Sequence, residues 1–403
     1  MQMRLFDTAR QAVVPVEPRG NRVGIYVCGI TPYDAAHLGH AFTYHVFDVI
    51  ARRLQAQDLT VQSVRNITDV DDDMLRVARE RGVDYRVLGS EQVLRFDNDM
   101  AAIGLLPVTS APRASEHVPE MVRWVSRLQS AGFAYERDGW VFFDTRMCPD
   151  YGRLSRLNEE SMIELSRHRG ANPDDPRKRH PIDFVLWQRS TPGEPAWQSP
   201  WGLGRPGWHI ECSVLATGEL GTPIDIHGGG DDLIYPHHES EIAQAEAAGV
   251  TPYVRHWVHV AMVRYEGVKM SKSLGNLIFV SDLVGLTSGD AVRLMLAKHH
   301  YRSSWEYDVD ELHVAEARRL RYVHAMNAGG VLGVDEAGEY ERQFLERIDD
   351  DLDTPGALRV LDLAAAALAH EGVRSGARDA VRGEDVMQRL LTIIGLRLPS
   401  AVA

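Results

Sequence analysis

The chain has 403 residues, 25% charged and 44% hydrophobic, with a net charge of −13. This suits a soluble globular protein of two or three units, and no apolar run reaches the roughly 18 residues of a membrane span. The opening "MQMRLFDTARQAVVPVEPRG" lacks the basic start and apolar core of a signal peptide, and three cysteines are too few for a disulfide framework, so a reducing cytoplasm is expected.

In chain order, "NRVGIYVCGITPYD" predicts a buried strand over 23–27 and then a loop with Gly29 and Pro32. "AFTYHVFDVIARRLQAQ" places Phe42, Val46, Val49, Ile50 and Leu54 at helical spacing. "LTVQSVRNITDVDDDML" predicts a second strand and an acidic loop. Strand, loop, helix and strand in that order imply a doubly wound parallel sheet, hence an α/β fold. A helix and a strand ("GWVFFD") follow over 115–144, then a Gly-, Pro- and charge-rich loop over 167–181 and a strand in "PIDFVLW". "TPIDIHGGGDDLIYPHHESEIAQAEAAG" predicts strand, glycine loop and helix, and "HWVHVAMVRYEGVKMSKSLGN" a strand or hairpin and a polar loop. Residues 289–398 read as helical with no strand signal. The part over 281–403 holds 14 Lys and Arg against 21 Asp and Glu, so no basic tail offers itself to nucleic acid.

Three groups of residues carry chemistry. His37 and His40 flank Gly39 where a strand gives way to a helix, at the carboxyl end of the sheet. A helix N-terminus attracts phosphate, Gly39 lets a flat base come close, and two imidazoles can stabilise a leaving pyrophosphate. By themselves the two histidines read equally well as capping or packing residues. "KMSKS", residues 269–273, is a polar loop that can bring Lys272 onto a triphosphate; by itself it is a solvated lysine loop. Cys28, Cys212, His237 and Glu241 together make a plausible tetrahedral shell, with His237 and Glu241 four apart on one helix face. Buried cysteine is more often plain core, and Cys148 reads that way.

The first two motifs together resemble the HIGH and KMSKS signatures of class I aminoacyl-tRNA synthetases. With "NITDVDD", "GRPGWHIECS" and "DIHGGGDDLIYPHHESEIAQAEAAG", the chain over 4–359 resembles the cysteinyl-tRNA synthetase family. The resemblance implies a Rossmann-type parallel sheet in two halves (1–115 and 206–280), a connective insertion (116–205) and a helical C-terminal domain (281–403). It implies one zinc ion on Cys28, Cys212, His237 and Glu241, holding the thiolate of substrate cysteine. Serine differs from cysteine by one atom, and a soft thiolate–zinc contact supplies selectivity that an apolar pocket lacks. It further implies ATP with Mg2+ as substrate, and His37, His40 and Lys272 as catalytic residues. The cysteine and adenylate would lie against Cys28, Gly29, Ile30, Thr31, Gly39, Thr43, Asn66, Ile67, Thr68, Trp208, Gly230, Asp231, Asp232 and Val263. Asp232 would hold the ribose.

The family has two branches. One charges tRNA; the other passes cysteine to the amine of glucosaminyl-inositol in mycothiol biosynthesis. Ile30, Pro32, Tyr235 and "RHRGANPDDP" resemble the second branch, as does a chain expected to lack an anticodon-reading extension. Glu241, "SEIAQAEAAG" and "KSLGN" look like the first. The expectation is a monomeric, cytoplasmic ATP-dependent cysteine ligase with a small amino-sugar acceptor, tRNA or another amine acceptor being the alternatives.

Overall fold

A computed structural model of the protein describes residues 2–34, 36–270, 275–370 and 380–398. Strands β1 (Arg4–Asp7) and β2 (Ala12–Pro15) form an antiparallel hairpin. Strand β3 (Arg22–Ile30) is buried along nearly its whole length. Its side chains alternate: Val23, Ile25 and Val27 join one hydrophobic core, Tyr26 and Cys28 the other. The strand expected over 23–27 therefore runs on to Ile30. Its register with the next strand breaks between Val27 and Ile30, so Cys28 lies in an irregular stretch of the strand rather than just beyond it.

Helix α1 (Leu38–Gln55) crosses to β4 (Thr60–Ile67), which pairs with β3 in parallel. The acidic stretch expected to be a loop instead starts α2 (Asp72–Arg81), which is followed by α3 (Tyr85–Ala102). Asp71 caps α2 by accepting the Asp73 N–H at 2.9 Å, and Asp72 and Asp73 occupy its positive end. Only Met74, Leu75, Val77 and Ala78 are buried along α2, too short a stripe to register as helical periodicity.

A second unit follows: α4 (Val118–Ser130), β5 (Ala134–Arg137), β6 (Trp140–Phe143), α5 (Glu159–His168), β7 (Phe184–Arg189) and β8 (Gly204–Pro206). Its four strands make an antiparallel sheet in that order. The loop expected from residue 167 starts after His168, because Arg167 and His168 still close α5.

The chain then returns to the parallel sheet through α6 (Trp208–Leu220), β9 (Ile226–Gly230), α7 (Glu239–Ala247) and β10 (Trp257–Val260). The sheet order is β10-β9-β3-β4, all parallel. The chain leaves β3 and β9 at the carboxyl end of the sheet, where α/β folds place their ligands.

Beyond it lie β11 (Val263–Tyr265), β12 (Val268–Lys269), α8 (Val280–Leu286), α9 (Gly289–Ala297), β13 (Trp305–Glu306), α10 (Val309–Asn327), β14 (Val331–Gly333), α11 (Val334–Asp349), α12 (Thr354–His370), β15 (Ala380–Arg382) and α13 (Gly383–Ile393). The expectation of no strand over 289–398 is corrected. β13 pairs with β11, and β14 with β15, as pieces of two or three residues, too short to show any alternation. Among the described residues no helix is long and apolar enough to cross a membrane.

Candidate active site and metal cluster

Cys28, Gly29, Ile30 and Thr31 leave β3 into a cavity of about 550 Å³. His37, Gly39, His40 and Thr43 of the α1 start, Gly230 at the end of β9, Asp232 just beyond it, and Val263 of β11 line the same space. His37 is the N-cap of α1, its Nδ1 accepting the His40 N–H at 3.4 Å, and the two rings stack 3.8 Å apart. Capping and cavity lining thus coincide in one residue. A Cβ on Gly39 would press on the His37 ring at 3.0 Å, so glycine keeps that ring in place. The Thr43 hydroxyl donates to Gly39 O at 3.1 Å, which turns its lone pairs outward.

Five of the expected binding residues stand off the cavity wall, and the structure gives three of them other work. Asn66 accepts the Gly29 N–H at 2.7 Å and donates to Thr68 Oγ1 at 3.0 Å, so it supports the floor from beneath. A Cβ on Gly29 would fall 1.6 Å from Asn66 O, which is why only glycine fits this junction. Ile67 is buried and pairs with Ile30. Trp208, at the start of α6, stacks on the His237 ring at 4.2 Å. Asp231 opens a short turn beside Asp232. Lys272 lies outside the described residues.

Behind Cys28 is a buried cluster of potential metal ligands: Cys28, Cys212, His237 and Glu241, with donor atoms all within 4.8 Å of one another. The two sulfurs are 3.8 Å apart, Cys28 Sγ and Glu241 Oε1 3.7 Å, and His237 Nε2 and Glu241 Oε1 3.3 Å. Tetrahedral donors around an ion at ordinary zinc distances lie about 3.3–3.8 Å apart, so the set fits. His237 Nε2 is buried with no hydrogen-bond partner among the described residues, as a ligand atom awaiting a cation must be.

His237 sits in a single π turn before α7, yet still reaches Glu241 as its four-residue spacing requires. Burial pushes the Cys28 thiol well up and the Glu241 carboxyl up to about 8, and holds His237 well below its ordinary value. A divalent cation offsets the charge that this burial resists.

Two outer residues escaped the sequence reading. Tyr253 donates to Glu241 Oε2 at 2.8 Å, and His209 Nδ1 meets His237 Nδ1 at 2.9 Å. Burial depresses His209 to about 3, so it stays neutral; with Nε2 of His237 as the ligand atom, His237 Nδ1–H would donate to His209 Nδ1. A second four-residue set, Cys28, His227, His238 and Glu241, shares two members with the first. Its two imidazole donors, His227 Nε2 and His238 Nε2, already face Cys28 Sγ at 3.6 and 3.1 Å, and His227 Nε2 faces Glu241 Oε2, the oxygen that Tyr253 holds. In the first set the imidazole donor, His237 Nε2, has no hydrogen-bond partner among the described residues.

The family described as tRNA synthetases class I (C) catalytic domain matches residues 14–317. A Streptosporangium roseum protein named L-cysteine:1D-myo-inositol 2-amino-2-deoxy-alpha-D-glucopyranoside ligase is 43% identical over 393 residues, 97% of this chain and 95% of its own. A cysteine--tRNA ligase of Thioalkalivibrio sulfidiphilus is 45% identical over 356 residues, 87% of this chain and 76% of its own. Among solved structures, Mycobacterium tuberculosis methionyl-tRNA synthetase in complex with methionyl-adenylate superposes with a TM-score of 0.64 at 16% identity, over 93% of this chain and 89% of that one. The fold is therefore that of the class I synthetases, and the chain belongs to the family of the class I tRNA synthetase (C) catalytic domain.

Proposed function

We propose that the protein activates L-cysteine with ATP and passes the cysteinyl group to the amine of glucosaminyl-inositol, working as a monomer in the cytoplasm. The observation that carries the activation step is one residue in two places: Cys28 belongs to the buried thiol–imidazole–carboxylate cluster and also lines the cavity beside His37 and His40. The acceptor follows the name of relatives that match this chain nearly end to end, in Streptosporangium roseum and in Thermobispora bispora at 43% identity. Cysteine--tRNA ligases of similar identity support a second reading, in which a tRNA hydroxyl takes the place of the amine.

Cys28, Cys212, His237 and Glu241 would hold zinc. Zinc bound there supplies a soft contact for a thiolate that an alcohol matches poorly. In the first step the cysteine carboxylate attacks the α-phosphorus, the bond to the β-phosphate breaks, and pyrophosphate leaves with the electron pair. His37, His40 and the N-terminus of α1 stabilise that departing charge, with Lys272 and the magnesium that accompanies ATP. Asp232 holds the ribose, while Gly39 leaves room for the base. In the second step the amine nitrogen attacks the carbonyl carbon, the bond to AMP breaks, and AMP leaves with the electron pair. The nitrogen gives up its proton. Catalysis is mostly positioning and charge stabilisation.

Cys212→Ser tests the cysteine site. Bound metal should fall, and the KM for cysteine in ATP–pyrophosphate exchange should rise about tenfold or more while that for ATP stays near wild type. Full metal content with unaltered cysteine kinetics would overturn the assignment.

A further inference from the structure

We propose that Tyr33, Asp73 and Arg76 form the acceptor subsite, a polar wall of the reactive cavity that takes an amino sugar. The inference rests on the amine-acceptor reading above and gives it residues. The cavity wall has two polar parts. The part from β3, α1 and the end of β9 is spoken for by the thiol, the phosphates and the ribose. The other part comes from the loop after β3 and the first turns of α2, and it carries Tyr33, Asp73 and Arg76. Neither activation substrate needs these three.

Their setting suits a ligand. Arg76 pairs with Asp73 at 2.9 Å and with Glu80 at 2.9 Å, and the Asp73 and Arg76 side chains are 54% and 51% exposed. Exposed pairs along a helix add little to stability, so these groups can trade partners with a bound molecule at small cost. The Tyr33 ring is packed on the small core of Val77, Ala78 and Leu88, which fixes it against the wall. Burial, with Asp73 and Asp71 close by, pushes its phenol up to about 12, so it remains a hydroxyl donor.

The chemistry matches an amino sugar group by group. A carboxylate accepts from an amine and from ring hydroxyls, a guanidinium donates to hydroxyl oxygens, and a tyrosine ring covers apolar C–H faces. Asp71, Asp72 and Asp73 stand together at the start of α2. Asp72 is paired with Arg205 and Asp73 with Arg76, so a bound ammonium group can replace Arg76 on Asp73 and pass a proton to water before its nitrogen attacks the carbonyl carbon. Because the same enclosure holds Cys28 and the α1 start, an amine bound here shares a cavity with the activated carbonyl.

The test separates two half-reactions in Asp73→Asn, Arg76→Ala and Asp73→Lys. Cysteine-dependent ATP–pyrophosphate exchange needs no acceptor and reports folding and activation. Transfer of labelled cysteine to glucosaminyl-inositol reports the wall. Exchange is expected to stay within about twofold of wild type, while the acceptor KM rises about tenfold or more in the first two variants and further in Asp73→Lys. An unaltered acceptor KM in all three, or a loss of exchange equal to the loss of transfer, would overturn the subsite. A wild-type protein that exchanges but transfers nothing to glucosaminyl-inositol would instead overturn the amine-acceptor reading itself.

Discussion

At the scale of single residues, the proposed metal cluster depends on atoms that would not touch a bound cation. Tyr253 occupies Glu241 Oε2 and leaves Oε1 to face the sulfurs and His237. Tyr253→Phe removes only that hydroxyl. Loss of such an outer partner weakens metal binding about 10–100-fold, so the variant should surrender its ion to a chelator at correspondingly lower concentration. Retention equal to wild type would show that Tyr253 merely fills space. The four inner residues were legible because each stands in a long, distinctive stretch of sequence. Tyr253 and His209 were not, although His209 lies inside "GWHIEC". Their role exists only once folding brings His209 to His237, 28 positions on, and Tyr253 to Glu241, 12 positions back. Tyr33, Asp73 and Arg76 were hidden in the same way, and the acidic stretch concealed a helix start as well.

At the scale of elements, α1 joins the cavity to the interior. Its first turn carries His37, Gly39 and His40, and beyond that most of the helix is buried on every side. The apolar spacing announced this helix, but not what its polar members do inside. His45 is 1% exposed, and neither ring nitrogen has a hydrogen-bond partner among the described residues. Burial, then the Arg293 charge, holds its pKa well below 6.5, so the folded protein keeps it neutral. The unfolded chain protonates His45 as the pH drops through about 6.5, and stability is lost on that side. His45→Leu should therefore stabilise the protein by about 1 kcal/mol near pH 7, with a gap over wild type that widens toward pH 5. Thermal unfolding at pH 7, 6 and 5 checks both parts. A constant gap would mean that His45 titrates alike in both states.

At the scale of the whole molecule, buried ion pairs fasten the C-terminal helices to the sheet domain. Asp48 of α1 takes Arg52 at 2.7 Å and is also bonded by Arg293 of α9, which reaches Ile103 O and Ile394 O as well. Arg53 and Asp349 of α11 join through two bonds of 2.7 Å. Asp48→Ala would strand two buried guanidinium groups, a loss of about 3–5 kcal/mol that should lower the thermal midpoint by about 4–6 °C. A smaller shift would mean that water reaches the pair. The pairs that join the two parts were not legible in composition, since Asp48 and Arg293 lie 245 positions apart and Arg53 and Asp349 lie 296 apart, and all four look like ordinary surface charge. The parallel sheet was legible in the strand–loop–helix–strand order of β3, α1 and β4. The acceptor is where the account is most exposed. The most direct measurement is the fate of labelled cysteine in parallel reactions with ATP, one containing glucosaminyl-inositol and the other tRNA at physiological salt. The account predicts rapid formation of cysteinyl-glucosaminyl-inositol and little charged tRNA. Efficient, specific charging of tRNA with no amino-sugar product would contradict it.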